Sequence, residues 1–214
     1  VGFEVGFDHY LDLSKKKWKR KSARKVWKTA KRAIKHAQAH RGDRPLFLWV
    51  HFYDPHESRK SKRRYRSLSK FTDRYVHTLL SHLDKIGIGE DALTVVVSDH
   101  GEAFKEHRLS GHASSLYEAQ IKIPIIWGFP KNAGIEPQAL QEPLSQVDIP
   151  STLLATAGAS MSALDGVNLW PVFTREGSLE GRPVFSELHR YQSSKGKKTK
   201  NLNAVIHRGF KLIE

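Results

Sequence analysis

The 214-residue sequence contains no cysteine. That absence excludes disulfides, thiolate metal sites and a cysteine nucleophile within these residues, while leaving oxidising and reducing compartments equally open. No apolar run approaches the ~20 residues that a membrane-spanning helix needs; among the longest is LFLWV at residues 46–50. No basic-then-apolar leader opens the chain, which begins on Val1, so any targeting segment is expected to lie outside these residues. Internal repeats, heptads and long low-complexity tracts are also missing. With 39% hydrophobic and 27% charged residues, the composition is that of a globular protein with one sizeable core.

Acidic residues are scarce: 22 against 36 lysines and arginines, a formal net charge of +14. The excess is concentrated in residues 15–41, in RKSKRRYR at 59–66, and in KGKK with Lys200 near 195–200. In the first block Ala23, Val26, Trp27, Ala30, Ile34 and Ala37 recur at three- and four-residue steps, which predicts a helix with one apolar face. A solvated basic helix docked on a core accounts for that pattern. A polyanion-binding surface is the sharper alternative, although no nucleic-acid motif accompanies the charge and no specific nucleic-acid partner is expected.

The remaining pattern alternates. LFLWVHF at 46–52 reads as a buried strand, and Leu68, Phe71, Tyr75, Leu79, Leu80 and Leu83 predict a helix ending at the GIG of 87–89. ALTVVVS and IKIPIIW (121–127) read as further buried strands, residues 147–159 as a short helix, and the stretches around RPVFSE and NAVIHRGFKLI as β-rich. Helices between strands predict crossover connections and a mainly parallel α/β sheet. In such sheets ligand-binding groups gather at the carboxyl ends of strands. Asp99 and His100 stand at one such end, followed by Gly101. A carboxylate beside an imidazole suits a divalent metal, whereas a simple turn cap by Asp99 with an exposed histidine is the structural alternative.

The segment SDHGEAFKEHRLSGHASSLYEAQIKIPIIW resembles the sulfatase family of the alkaline phosphatase superfamily. So do GFDHYLDL (6–13), FLWVHFYDPHESR (47–59), residues 72–102, VDIPSTLLATAG (147–158), LDGVNLWPVF (164–173), RPVFSE (182–187) and HRGFKLI (207–213), in the family's order. The resemblance implies an alkaline-phosphatase-like three-layer sandwich, incomplete at its N-terminus, with residues 1–214 as the later part of a catalytic domain. It implies that Asp99 and His100 bind metal. His56 of the DPH segment matches a histidine that reaches the transferred group, and His112 matches the position beside the bridging oxygen; both are thus expected to bind substrate and take part in catalysis. His51 and Glu102 lie nearby without an assigned role, and His107 reads as a surface or supporting residue. One divalent ion is implied, calcium by family habit, with zinc or manganese as alternatives because His100 contributes nitrogen.

Departures from the family pattern are equally specific. The early Asp-Asp pair and the C/S-x-P-x-R segment that yields the formylglycine nucleophile are absent here, so both are expected on an N-terminal stretch outside these residues, and the isolated chain is expected to be inactive. Lys105 and Arg108 occupy positions where sulfatases often have glycine, and RYRSLSK replaces the acidic residues common around Tyr65. The implied reaction is hydrolysis of a sulfate ester, on a small molecule or a polysaccharide, through a covalent sulfo-enzyme intermediate in a periplasmic or secreted enzyme. Two alternatives remain open: a phosphoryl-transfer relative (a phosphodiesterase, or a phosphoethanolamine or phosphoglycerol transferase) and a non-catalytic polyanion-binding relative.

Overall fold

The computed structural model describes residues 4–13, 22–58, 61–159, 163–189 and 201–214. The basic residues 15–21, 59–60 and 195–200 lie outside them. The chain forms two compact units, Val1–Ala92 and Leu93–Glu214.

The first unit is built on two amphipathic helices, α1 (Ala23–His40) and α2 (Lys62–Lys85). The apolar spacing read from the sequence becomes packing: Ala30 and Ile34 of α1 meet Leu79 and Leu83 of α2, with Trp27, Ile86 and Ile88 around them. Burying such aliphatic side chains is worth roughly 1.5–3 kcal/mol each and is what holds the charged outer faces in place. Between the helices a short 3-10 turn, Asp54–Ser58, carries the DPH segment. Its Asp54 carboxylate is buried, and burial pushes its pKa above the ordinary 3.8 against the opposing pull of the Ala23 amide and its own amide.

The run 46–52 differs from expectation, because it forms no ladder among the described residues. Its alternation nevertheless survives. Leu48, Val50 and Phe52 pack on the helix pair, while Phe47 and Trp49 are 61% and 71% exposed. Period-2 patterning reports which side chains are covered, and not whether the backbone has a hydrogen-bonded neighbour.

In the second unit β1 (Thr94–Val97) pairs with β4 (Ile125–Gly128) in an antiparallel register, Val95 opposite Trp127 and Val97 opposite Ile125. A two-residue hairpin, β2 (Ala103–Phe104) with β3 (Ser110–Gly111), and the helical turn α3 (Glu118–Ile121) lie between them. The strand expected over 121–127 starts only at Ile125, since residues 118–121 turn helically and Pro124 has no N–H for a ladder. Helices α4 (Asp148–Thr156) and α5 (Trp170–Phe173) follow, then the antiparallel sheet β5 (Val184–Leu188), β6 (Leu202–His207), β7 (Phe210–Ile213). All ladders among the described residues are antiparallel, so none of the parallel pairs expected of the whole sheet lies among them. The cause is the connection: parallel neighbours need a crossover that brings the chain back to the same end, whereas residues 98–124 reverse it and β4 runs back along β1.

Asp148 organises this unit from the first turn of α4. Fully buried, it accepts two bonds from Arg182 (2.9 and 2.7 Å) and one each from the Ser145 and Val167 amides (2.8 and 3.0 Å). Thr152, also fully buried, bridges from the Asp148 carbonyl to the Leu169 amide. A Cβ on Gly166 would lie 1.8 Å from the Val147 carbonyl oxygen, so only glycine admits this approach.

The helix pair of the first unit contains a pH-sensitive contact. His82 meets Trp27 edge-on with ring centroids 5.2 Å apart, and burial, followed by the charges of Lys31 and Lys85, holds its pKa below the ordinary 6.5. Because the folded-state pKa is depressed, proton uptake favours the unfolded chain; the stabilising contribution is present above about pH 6.5 and is lost as pH falls below it. Urea unfolding of the wild type should therefore show a stability loss through this window that is smaller in His82→Gln. Identical pH profiles for the two proteins would show that this contact carries no linkage.

Candidate functional site

Asp99 and His100 follow β1 directly, and their backbone is held from outside the strand. The Gln146 side-chain amide donates to the carbonyls of Ser98 and Asp99, at 2.7 and 3.1 Å. The Gly101 amide donates to the Gln120 carbonyl at 2.9 Å. A Cβ on Gly101 would stand 2.5 Å from the Ala119 oxygen, so the glycine that follows the pair is required by close approach to α3.

The side chains are ordered by the same economy. Asp99 Oδ1 accepts the His100 amide at 3.0 Å, leaving Oδ2 3.7 Å from His100 Nε2. His100 Nδ1 lies 2.8 Å from the Gly101 carbonyl oxygen. A carbonyl can only accept, so Nδ1 carries the hydrogen and Nε2 presents the lone pair in the neutral ring. An imidazole with one nitrogen tied to a backbone carbonyl and the other turned toward a carboxylate is the arrangement metal-ligating histidines adopt. Asp99, whose side chain is 73% exposed, and His100 thus fit as two donors of a divalent-ion site whose remaining ligands they do not supply.

His112 arrives from the far strand of the hairpin. The register places Ala103 opposite Gly111, and one step further brings Glu102 opposite His112. Glu102 Oε2 lies 2.8 Å from His112 Nδ1, with the carboxylate side chain 13% exposed. The His112 ring also lies on that of His100, centroids 4.0 Å apart. One donor atom from each of His100, Glu102 and His112 falls within 4.8 Å of the others, a second possible donor group sharing His100. Behind His112, the loop is fixed by buried Gln120: its Oε1 accepts from the Ser114 and Ser115 amides and its Nε2 donates to Ser114 Oγ.

The structure therefore brings Asp99, His100 and His112 together in the second unit. His56 belongs to the first, exposed on the 3-10 turn with its ring stacked on Tyr53 at 4.5 Å; His51 is exposed there too. Glu102 is the residue whose role sequence reading missed. The signal is a hairpin too short for period-2 patterning, with a mostly polar turn, KEHRL, between AF and SG. A cleft of about 410 Å³ lined by Val167, Pro171, Leu179 and Arg182 among others touches none of Asp99, His100, Glu102 and His112.

A family model for sulfatases matches residues 3–159. The chain belongs to the sulfatase family. Its relatives include the low-salt glycan biosynthesis sulfotransferase of Haloferax volcanii, 29% identical over 56% of this chain and 30% of that protein. The choline-sulfatase of Rhizobium meliloti is 30% identical over 60% of this chain and 25% of its own length. Among solved structures, a phosphonate monoester hydrolase from Silicibacter pomeroyi aligns with TM-score 0.63 and 26% identity, covering 71% of this chain and 32% of that one. The fold is accordingly that of a partial alkaline-phosphatase-like α/β sandwich, and the chain spans about a quarter to a third of the length of these relatives.

The sulfatase hairpin also shows where this sequence departs from glycine. Lys105 has φ 87° and Arg108 φ 60°, and between them His107 has φ 50°. The two positions where the family often has glycine are both left-handed in this structure. The turn is held by the Lys105 amide to the Leu109 carbonyl (2.8 Å) and by His107 stacked on Tyr117 (4.2 Å). Restoring Lys105→Gly should relieve this strain and raise the unfolding free energy by about 0.5–1 kcal/mol, with Lys105→Val lowering it. Thermal unfolding of the three proteins checks the order, and a Gly variant less stable than wild type contradicts it.

Proposed function

We propose that this chain is the later part of a metal-dependent sulfatase catalytic domain that hydrolyses sulfate esters of small molecules or polysaccharides, with the nucleophile supplied from outside these residues. The observation that carries the reading is the Asp99–His100 pair at the end of β1 beside a Glu102–His112 pair, in a sulfatase-family chain.

In this reading Asp99 and His100 would hold the divalent ion, calcium by family habit, with zinc or manganese compatible with the imidazole. When bound, such an ion neutralises the anionic ester and lowers the pKa of a coordinated nucleophile. Glu102 accepts the Nδ1 hydrogen of His112, which fixes the ring and makes Nε2 the atom that delivers a proton to the departing alcohol. His56 is assigned to grip the anionic oxygens, in keeping with the resemblance. Without the nucleophile segment the isolated 214 residues do not turn over. A phosphoryl-transfer reading is favoured by one observation, the likeness to a phosphonate monoester hydrolase; comparison of sulfate monoesters with phosphonate and phosphodiester substrates separates the two.

In the full-length protein, Asp99→Ala should lose bound metal and nearly all turnover while its far-UV circular dichroism is unchanged, since the side chain is largely exposed. Metal content and activity equal to wild type would remove Asp99 from the site.

The histidines are separable by leaving group. His112→Ala should slow esters of poorly acidic alcohols by about 10²–10⁴ and nitrophenyl esters far less. Glu102→Gln, which keeps an acceptor and removes the charge, should fall between, whereas His56→Ala should slow both classes alike. Rates of the chemical step plotted against leaving-group pKa give the test: equal slopes for wild type and His112→Ala withdraw the acid role.

A further inference from the structure

Helix α1 carries six lysines and arginines and no acidic residue. Arg24, Lys25, Lys28, Lys31, Arg32 and Lys35 are all exposed, and among the described residues none forms an ion pair with a carboxylate. At about 100° per residue, Arg24, Lys28, Lys31 and Lys35 fall within an arc of roughly 60°, a line of four cations over about 17 Å of helix, with Lys25 and Arg32 along one flank. Like charges at three- and four-residue steps oppose the helix by about 0.2–0.5 kcal/mol per pair. The helix bears that repulsion because its other face, Ala23, Val26, Ala30 and Ile34, is buried. Lys31 also contributes to the lowered pKa of His82, so the positive potential reaches into the helix pair.

We infer that the exposed face of α1 is a docking track for a linear sulfated polysaccharide. A collinear row of cations matches a linear polyanion, which can engage several of them at once and release its counterions. The apolar face is already used within the unit, so α1 has nothing to insert into a bilayer. No aromatic side chain stands in the row to stack on bases, as single-stranded nucleic acids require. The choice of a sulfated glycan over other polyanions rests on the sulfatase reading; the existence of the track does not.

The test compares full-length wild type with Arg24→Gln/Lys28→Gln/Lys31→Gln/Lys35→Gln, which keeps helix propensity and removes repulsion. Heparin is the sulfated probe, with duplex DNA and phosphatidylserine vesicles as the other arms, and hydrolysis of a small aryl sulfate is measured in parallel. The variant should bind heparin at least tenfold more weakly at about 0.1 M salt, with a shallower dependence of log K on log salt, while aryl sulfate hydrolysis is unchanged. Equal heparin affinity in the two proteins overturns the track. DNA or vesicle binding as tight as heparin binding in the wild type, and equally sensitive to the four changes, overturns the sulfated-glycan assignment. Absence of sulfate ester hydrolysis together with a variant-sensitive heparin affinity would overturn the sulfatase reading and leave the track standing.

Discussion

A carboxylate with no exposure to water sits at the centre of the second unit. Burying an ionised group costs several kcal/mol, and Asp148 is tolerable only because four hydrogen bonds converge on it, two from one guanidinium. Removing one member of such a pair typically costs about 3–5 kcal/mol, since the other charge stays buried without compensation. Its reach extends beyond stability. By fixing the Ser145 amide, Asp148 sets the path of residues 145–147, and from that path Gln146 reaches the carbonyls of Ser98 and Asp99. The end of β1 is therefore positioned by a charge pair formed entirely by α4 and Arg182.

The second constraint on the site is Gln120. Its backbone carbonyl holds Gly101 and its side chain holds Ser114 and Ser115, so one buried residue grips both ends of the segment that carries His100, Glu102 and His112. The strained hairpin turn lies between those grips. Left-handed Lys105 and Arg108 persist because the two short strands and the His107–Tyr117 stack leave the turn no other course. Lys211 bonds Glu118 at 3.0 Å and ties the last strand to the same α3 turn. The chemistry-bearing side chains are exposed or half-buried, whereas Asp148 and Gln120, which fix the backbone around them, are buried; that division lets a site present polar groups to a ligand without losing their geometry.

In the first unit the apolar and charged faces are separated more completely. The contacts of α1 with the core come from Ala30 and Ile34 and from Trp27, which also meets His82, all at helical spacing. Its cations therefore contribute little to packing, and their collinearity follows from the same 3.6-residue period that aligns the core residues.

The sequence by itself determined the family, through an ordered series of segments along nearly the whole chain, and the two amphipathic helices, because periodic burial is written into residue order. It also determined Asp99, His100 and His112 as candidates, since each lies in a local motif. Strand polarity was not legible: residues 46–52 and 125–128 have the apolar content of buried strands whether their neighbours run parallel, antiparallel or not at all. Glu102 was not legible either, because its partner is ten residues away across a hairpin of two-residue strands, and only the register Ala103 with Gly111 brings the carboxylate to the imidazole. The same holds for Arg182, 34 residues from Asp148. Local motifs name residue types; which nitrogen of His100 bears its hydrogen, and which carboxylate orients His112, are decided by contacts between segments that only folding brings together.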